Sequence, residues 1–293
     1  MTEHRSGLPT DMTVPTITLN DQTTIPQYGV GVWQVPPAET ERVVSDALEI
    51  GYRHIDTAQM YGNEAGVGAA IKSAGLDRAD LYVTTKLNNN RHDPASAKAS
   101  LEESLDRLGL DKVDLFLIHW PLPTQYDGDY TATWQALIEL REAGLATSIG
   151  VSNFQPEHLD TIVERTGVVP AVNQIEVHPY FANTAARETT ARHGAHVEAW
   201  SPLGQGGGEL SDPVITAIAE QHGKTPAQVA LRWQLDLGHI VFPKSTHRER
   251  LAENFAVFDF ALSTDEIAAL AALDKGESGR TGPNPDVFDW IPS

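Results

Sequence analysis

The 293-residue sequence contains no cysteine. Disulfides, thiolate zinc sites, iron–sulfur clusters and cysteine nucleophiles are therefore excluded, and a reducing, cytoplasmic setting is expected. Basic residues are scarce, with 21 Lys and Arg against 40 Asp and Glu and a net charge of −19. A field of that sign repels phosphate polyanions and anionic lipid, so binding of nucleic acid or a membrane through the bulk surface is excluded and any local cluster of cations stands out. Nowhere do about eighteen apolar residues follow one another. The stretch 1–15 is polar, lacks the apolar core of a secretory signal and is expected to be flexible. Paired histidines of the His-x-His kind, which metal-dependent barrel hydrolases tend to need at a strand end, are missing: His193 and His196 are three apart around a glycine, and His119 is isolated.

What is present is alternation. Short apolar runs at 28–32, 52–56, 81–86, 113–119, 148–151, 172–176, 196–200 and 240–243 predict eight strands. Several, such as Val113 to Ile118, are almost continuously apolar, as parallel strands covered on both faces must be. Helical patterns lie between them. Those at 39–50, 94–108, 156–165 and 226–237 stop at or near Gly51, Gly109, Gly167 and Gly238, and proline opens three of them. Eight strands alternating with helices over about 250 residues is the arithmetic of a (β/α)8 barrel, a TIM barrel. The competing open doubly wound sheet would carry Gly-x-Gly-x-x-Gly after its first strand, and the segments starting at Gly29 and Gly66 both lack the third glycine. One domain spanning 1–293 is expected, with a hairpin of 16–19 and 23–25 capping the bottom. The aperiodic tail 275–293 either frays or folds over the opposite mouth.

Active sites of such barrels lie at the carboxyl ends of the strands. Those ends bring together Asp56, Lys86 and His119, with Tyr61 in the loop after strand two. A phenol titrating near 10 is a weak acid at neutral pH, and an adjacent ammonium lowers that value by stabilising the phenolate. Asp56 beside Lys86 keeps the lysine charged, so Tyr61 becomes a candidate general acid for a carbonyl oxygen that gains charge as hydride arrives, with His119 orienting that oxygen. Taken singly, Asp56 also suits a helix cap and His119 a satisfied core histidine. The run Lys244-Ser-Thr-His-Arg-Glu-Arg250 opens a helix in a strongly acidic chain and forms either a phosphate site or a solvated helix start paired with Glu249 and Glu253. The glycine-rich stretch from Ser201 to Gly208 lets backbone approach a pyrophosphate or is a flexible crossing. Ser152, Asn153 and Gln174 suit a carboxamide, and Trp200 a planar ring.

With these pieces assembled, the chain resembles the aldo-keto reductases. The resemblance rests on Gly51-Tyr-Arg-His-Ile-Asp56-Thr-Ala-Gln-Met-Tyr61-Gly-Asn-Glu64, on the segment from Leu108 through His119 to Pro121, on Ile149-Gly-Val-Ser-Asn-Phe154, and on Val241-Phe-Pro-Lys244-Ser245 with Arg250, Glu253 and Asn254. It extends from Gly29 to about Asp274. Through Glu198-Ala-Trp200-Ser-Pro-Leu-Gly-Gln205 and Val257-Phe-Asp-Phe260 it is most similar to the bacterial 2,5-diketo-D-gluconate reductase group.

The resemblance implies a catalytic tetrad of Asp56, Tyr61, Lys86 and His119. It implies that Gly31, Val32, Trp33, Ser152, Asn153, Gln174, Trp200, Ser201, Pro202, Leu203, Gly204, Gln205 and Gly206 hold the nicotinamide and pyrophosphate. Lys244, Ser245, Thr246, His247 and Arg250 would surround a 2′-phosphate, favouring NADPH over NADH, and Glu253 with Asn254 would lie near the adenine. His247 departs from the family's usual choices at its position. Trp33, Tyr61, His119 and Trp120 would line the substrate pocket, joined by Met60, Phe288 and Trp290. The implied activity is metal-free reduction of aldehydes and ketones by a monomer, on substrates such as small dicarbonyls, keto-sugars and aromatic aldehydes. A nicotinamide-binding regulatory protein on the same barrel stays open as the alternative.

Overall fold

The computed structural model describes residues 14–292, so most of the expected flexible segment 1–15 lies outside the described residues. Pro15 is already tied down, its carbonyl accepting from the Gln27 amide at 2.8 Å. The described residues open with an antiparallel hairpin, β1 (Thr16–Thr18) and β2 (Thr24–Pro26), and continue into eight parallel strands. These are β3 (Val30–Gly31), β4 (His54–Asp56), β5 (Tyr82–Leu87), β6 (Val113–Ile118), β7 (Ala146–Ser152), β8 (Val172–Glu176), β9 (His196–Trp200) and β10 (Ile240–Val241). Each pairs with its sequence neighbours, and the order runs unbroken from β3 to β10.

Closure occurs between the first and last of the eight. Tyr28 bridges Val241, the Gly29 amide donates to the Val241 carbonyl at 2.9 Å, and the Val241 amide donates to Gln27 at 3.0 Å. Sequence assigned five residues to the first of these strands, four to the last and a start at Tyr52 to the second; the ladders are shorter. The reason is the seam: a Cβ at Gly29 would stand 2.7 Å from the His54 carbonyl and 2.9 Å from Phe242, so the strands approach through a glycine that leaves few residues in regular register.

Among the described residues ten α-helices cover the outside: α1 (Pro37–Ile50), α2 (Glu64–Ser73), α3 (Pro94–Leu108), α4 (Tyr130–Glu142), α5 (Pro156–Thr166), α6 (Thr184–Arg192), α7 (Pro213–His222), α8 (Pro226–Asp236), α9 (Arg248–Phe255) and α10 (Thr264–Ala271). Their ends follow local chemistry. Five begin with proline near the first position. Asp93, Asp129 and Asp212 cap with their carboxylates, and Thr225 with Gln228 and Ser263 with Glu266 form reciprocal caps. Val43, Val44, Ala47 and Leu48 of α1 face inward and join a core of strand and helix side chains between the two layers.

Inside the barrel the two-residue period of each strand decides what points to the axis. Leu19 and Ile25 of the hairpin plug the bottom against Leu115, Leu117, Val172, Ile240 and Phe242. Higher on the same inward faces come Asp56, Lys86, Gln174 and Glu198, all buried. The tail does fold over the upper mouth. The Thr281 amide and hydroxyl and the Gly282 amide donate to Glu176, Asn89 donates to the Trp290 carbonyl at 2.9 Å, and Phe288 packs on Trp120 with ring centroids 4.2 Å apart.

Candidate active site

Lys86 is the centre of the cluster. β5 carries it fully buried to the barrel's upper end, where its Nζ donates to both Asp56 oxygens at 2.8 Å and to the Thr57 carbonyl at 2.9 Å. Tyr61 follows β4 in a single 3-10 turn, Gln59–Tyr61, which sets its hydroxyl 3.4 Å from the same nitrogen. Asn63 anchors that turn: it accepts from Thr57 Oγ1 and donates to the carbonyls of Val32 and Val35, fixing the loop after β3 against the loop after β4. His119, one residue beyond β6, meets the Tyr61 ring edge-on at 5.6 Å. The four side chains named from sequence therefore converge.

Their electrostatics differ from expectation in one respect. Lys86 stabilises the Tyr61 phenolate, but burial penalises that anion more strongly and Asp56 adds repulsion, so the phenol is held above its ordinary value rather than below it. For Lys86 the balance falls the other way: burial alone would push the ammonium down, and the Asp56 carboxylate with Tyr61 holds it above its usual range. Burial, and then the Lys86 charge, push His119 well below the normal imidazole value, so its ring is neutral. Among the described residues His119 Nδ1 has no partner although it is buried, which is not the state of a satisfied core histidine.

Around this cluster the remaining polar residues form a second layer. Gln174 Nε2 donates to Asp56 Oδ1 and to Glu198 Oε2, both at 2.9 Å, leaving Oε1 the one polar atom of this side chain without a protein partner. Asn153, in a left-handed conformation at φ 64°, donates to the His119 carbonyl and to Ser152 Oγ and accepts from Trp200 Nε1. Its amide thus ties the ends of β6, β7 and β9 together, a task sequence spacing did not suggest. Gly282 of the tail lies so close to the Trp200 ring edge that a Cβ there would overlap it. Trp33 is exposed beside the buried Gly31 and Val32, whereas Trp120 is buried beneath Phe288.

The other end is open. Lys244, His247 and Arg250 are exposed around buried Ser245 and half-buried Thr246 at the start of α9, and Lys244 and Arg250 form no ion pair among the described residues. The alternative reading, a helix start paired with Glu249 and Glu253, is not what forms among the described residues: Arg248 takes Asp46 and Glu49, and Glu253 accepts from Thr225. Asn254 is buried, its carbonyl accepting from Tyr28. In the loop after β9, Ser201, Gly204, Gln205, Gly206 and Gly208 all have positive φ, exposing the crest from Gln205 to Gly208 while Pro202 is buried and Leu203 half-buried.

A joint between this loop and the tail was not foreseen. Glu176, which anchors Thr281 and Gly282, also accepts from His178 Nε2 at 3.1 Å, and His178 Nδ1 lies 2.8 Å from Glu209. Burial opposes the charge on His178, but the two carboxylates outweigh it and push the imidazole up to about 9. Among the described residues no group of three or more candidate ligands could hold a metal ion, and no helix is long and apolar enough to cross a membrane.

Comparison with known proteins agrees with this fold. The profile of the Aldo/keto reductase family matches residues 24–275. An aldo-keto reductase of Mycolicibacterium smegmatis is 52% identical over 276 residues, covering 94% of this chain and 98% of the relative. The methylglyoxal reductase DkgA of Yersinia pestis is 49% identical over 276 residues, covering 94% and 97%. Among solved structures, a Gox0644 variant in complex with NADPH superposes with a TM-score of 0.90 at 46% identity, covering 95% of this chain and all of that one.

Proposed function

The chain belongs to the aldo/keto reductase family, and from that premise we propose that it reduces aldehydes and ketones to alcohols, taking NADPH in preference to NADH. The observation that carries this reading is the buried contact of Lys86 with Asp56 and Tyr61 at the lip of the barrel. The residues present fit the cofactor: among the described residues Gln174 Oε1 and the cations Lys244 and Arg250 have no partner, and the loop after β9 turns left-handed backbone outward. NADPH, when bound, would supply the hydride for the carbonyl carbon.

The protein's own groups handle the oxygen and its proton. Tyr61 keeps its proton throughout the neutral range, so it is always loaded to donate O–H to the carbonyl oxygen as charge builds there. Once the proton leaves, the fully buried Lys86 lies 3.4 Å from the phenolate, and burial strengthens the pull of its charge. Asp56 balances Lys86, so that the cation is tolerated inside the barrel. Neutral His119 retains one N–H to orient the carbonyl without competing as an acid. A positioned acid of this kind contributes roughly 10² to 10⁴ in rate.

Lys244, Ser245, Thr246 and Arg250 at the start of α9 suit a 2′-phosphate through charge and helix-end N–H groups, which is the physical ground for preferring NADPH. Trp33, Met60, Trp120, Phe288 and Trp290 around the mouth suit a small carbonyl substrate, and the DkgA relative, named a methylglyoxal reductase, makes small dicarbonyls the first class to try. The test is a panel of methylglyoxal, keto-sugars and aromatic aldehydes assayed by nicotinamide absorbance with both cofactors. Turnover with NADPH is expected; tight NADPH binding with no turnover on any member would overturn the proposal in favour of a regulatory role.

A further inference from the structure

Beneath the tetrad lies a second acid that the proposed reduction does not use. β9 carries Glu198 on its inward face, two residues before Trp200, and the side chain is completely buried. Its Oε2 accepts from Gln174 Nε2, and its Oε1 has no partner among the described residues. The ionisable groups facing it are Asp56 from β4 and Lys86 and Tyr82 from β5, with His54 of β4 packed on Tyr82 at 4.7 Å. Burial first, and then the Asp56 charge, push the Glu198 carboxyl up to about 8, against the opposing pull of Gln174 and Lys86.

A primary amide nitrogen has two hydrogens, and in Gln174 one goes to Asp56 and the other to Glu198. Asp56 alone would leave the amide free to rotate about that single bond. The second acceptor fixes its plane and makes the flipped amide unfavourable, since Oε1 would then face carboxyl oxygens. We propose that Glu198 is a positioning residue of the reductase: through Gln174 it holds Oε1 toward the mouth to accept from the nicotinamide carboxamide, and through the same nitrogen it couples its ionisation to the Asp56–Lys86–Tyr61 cluster. This rests on the carbonyl-reductase reading given above. An ionised Glu198 adds a negative charge next to Asp56, favours the charged lysine and the neutral phenol, and so opposes formation of the phenolate that follows proton donation.

The test compares wild type, Glu198→Gln and Glu198→Leu for NADPH dissociation by tryptophan quenching, for kcat and KM, and for the pH profile of kcat. Glu198→Leu should weaken NADPH roughly five- to thirtyfold, the loss expected for one misplaced buried amide, with a smaller change in kcat at saturation. Glu198→Gln retains an acceptor oxygen but has no proton to lose, so it should restore NADPH affinity to within about threefold and remove the decline in kcat centred near pH 8. Wild-type affinity in a folded Glu198→Leu protein, or equal defects in the two variants, would overturn the positioning role. If Glu198→Leu fails to fold, an alkaline limb unchanged in Glu198→Gln overturns the coupling, and its loss supports it. Wild type that binds NADPH but reduces nothing would contradict the reductase reading instead, leaving the affinity comparison intact.

Discussion

The two ends of the site are built on opposite plans. At the tetrad, charge is matched internally: Lys86 has three oxygen acceptors within 2.9 Å, lies wholly out of solvent, and is set by β4 and β5 deep in one sheet. At the start of α9 and in the loop after β9, Lys244, Arg250 and the stretch Gln205–Gly208 are exposed, and the loop depends on left-handed backbone. The first plan suits a group that must be pre-organised at low dielectric before any ligand arrives. The second suits a cofactor that must enter and leave, so the anion itself completes the electrostatics and the loop contributes little stability of its own.

Breaking the closed end should cost most. Lys86→Met leaves the Asp56 carboxylate buried with no cation, and we expect about 3–5 kcal/mol of destabilisation in denaturant unfolding together with loss of turnover. A variant of near-native stability would show that the pair is not matched as described. The joint between the two plans comes next. His178 titrates above its ordinary value, so its stabilisation is full below about pH 6.5 and is lost as pH rises through about 9. Unfolding measured at pH 6 and pH 10 should reveal a drop of order 2–3 kcal/mol that is missing in His178→Gln; an identical drop in both proteins would dissociate it from Glu176 and Glu209.

Effects at the open end should be smaller and confined to the cofactor. Arg250→Ala should raise KM for NADPH about tenfold, the loss of one charge-assisted contact, while KM for NADH moves less than about twofold. Equal changes would mean that Arg250 does not read the 2′-phosphate. His247→Ala should be nearly silent, within about twofold for either cofactor, because the exposed ring has no side-chain partner here and an exposed site supplies little. A tenfold effect would place His247 on the ligand.

The same division governed what could be read from sequence. Apolar runs with polar ends, together with proline and glycine punctuation, expose the strand order and the convergence of Asp56, Tyr61, Lys86 and His119, because both follow from period and from the barrel's rule that chemistry collects at strand ends. The seam strands β3 and β10 were harder, since their extent depends on how closely a closed barrel lets Gly29 approach His54 and Phe242. The direction of the Tyr61 shift was missed because spacing reveals the neighbouring ammonium and not the depth of burial. Glu198 appeared only inside a motif, since a lone Glu in a short strand reads as a solvent-facing residue until its inward parity is fixed by Trp200. The path of the tail was undecided because its anchor, Glu176, stands 105 residues away from Thr281.

The central claim is that Tyr61 delivers the proton while the rest of the site binds the cofactor independently of it. Tyr61→Phe, assayed for steady-state carbonyl reduction and for NADPH binding by fluorescence, tests this directly. The account predicts a fall in kcat of roughly 10² to 10⁴ with the NADPH dissociation constant unchanged; turnover at the wild-type rate, or loss of NADPH binding in parallel with activity, would contradict it.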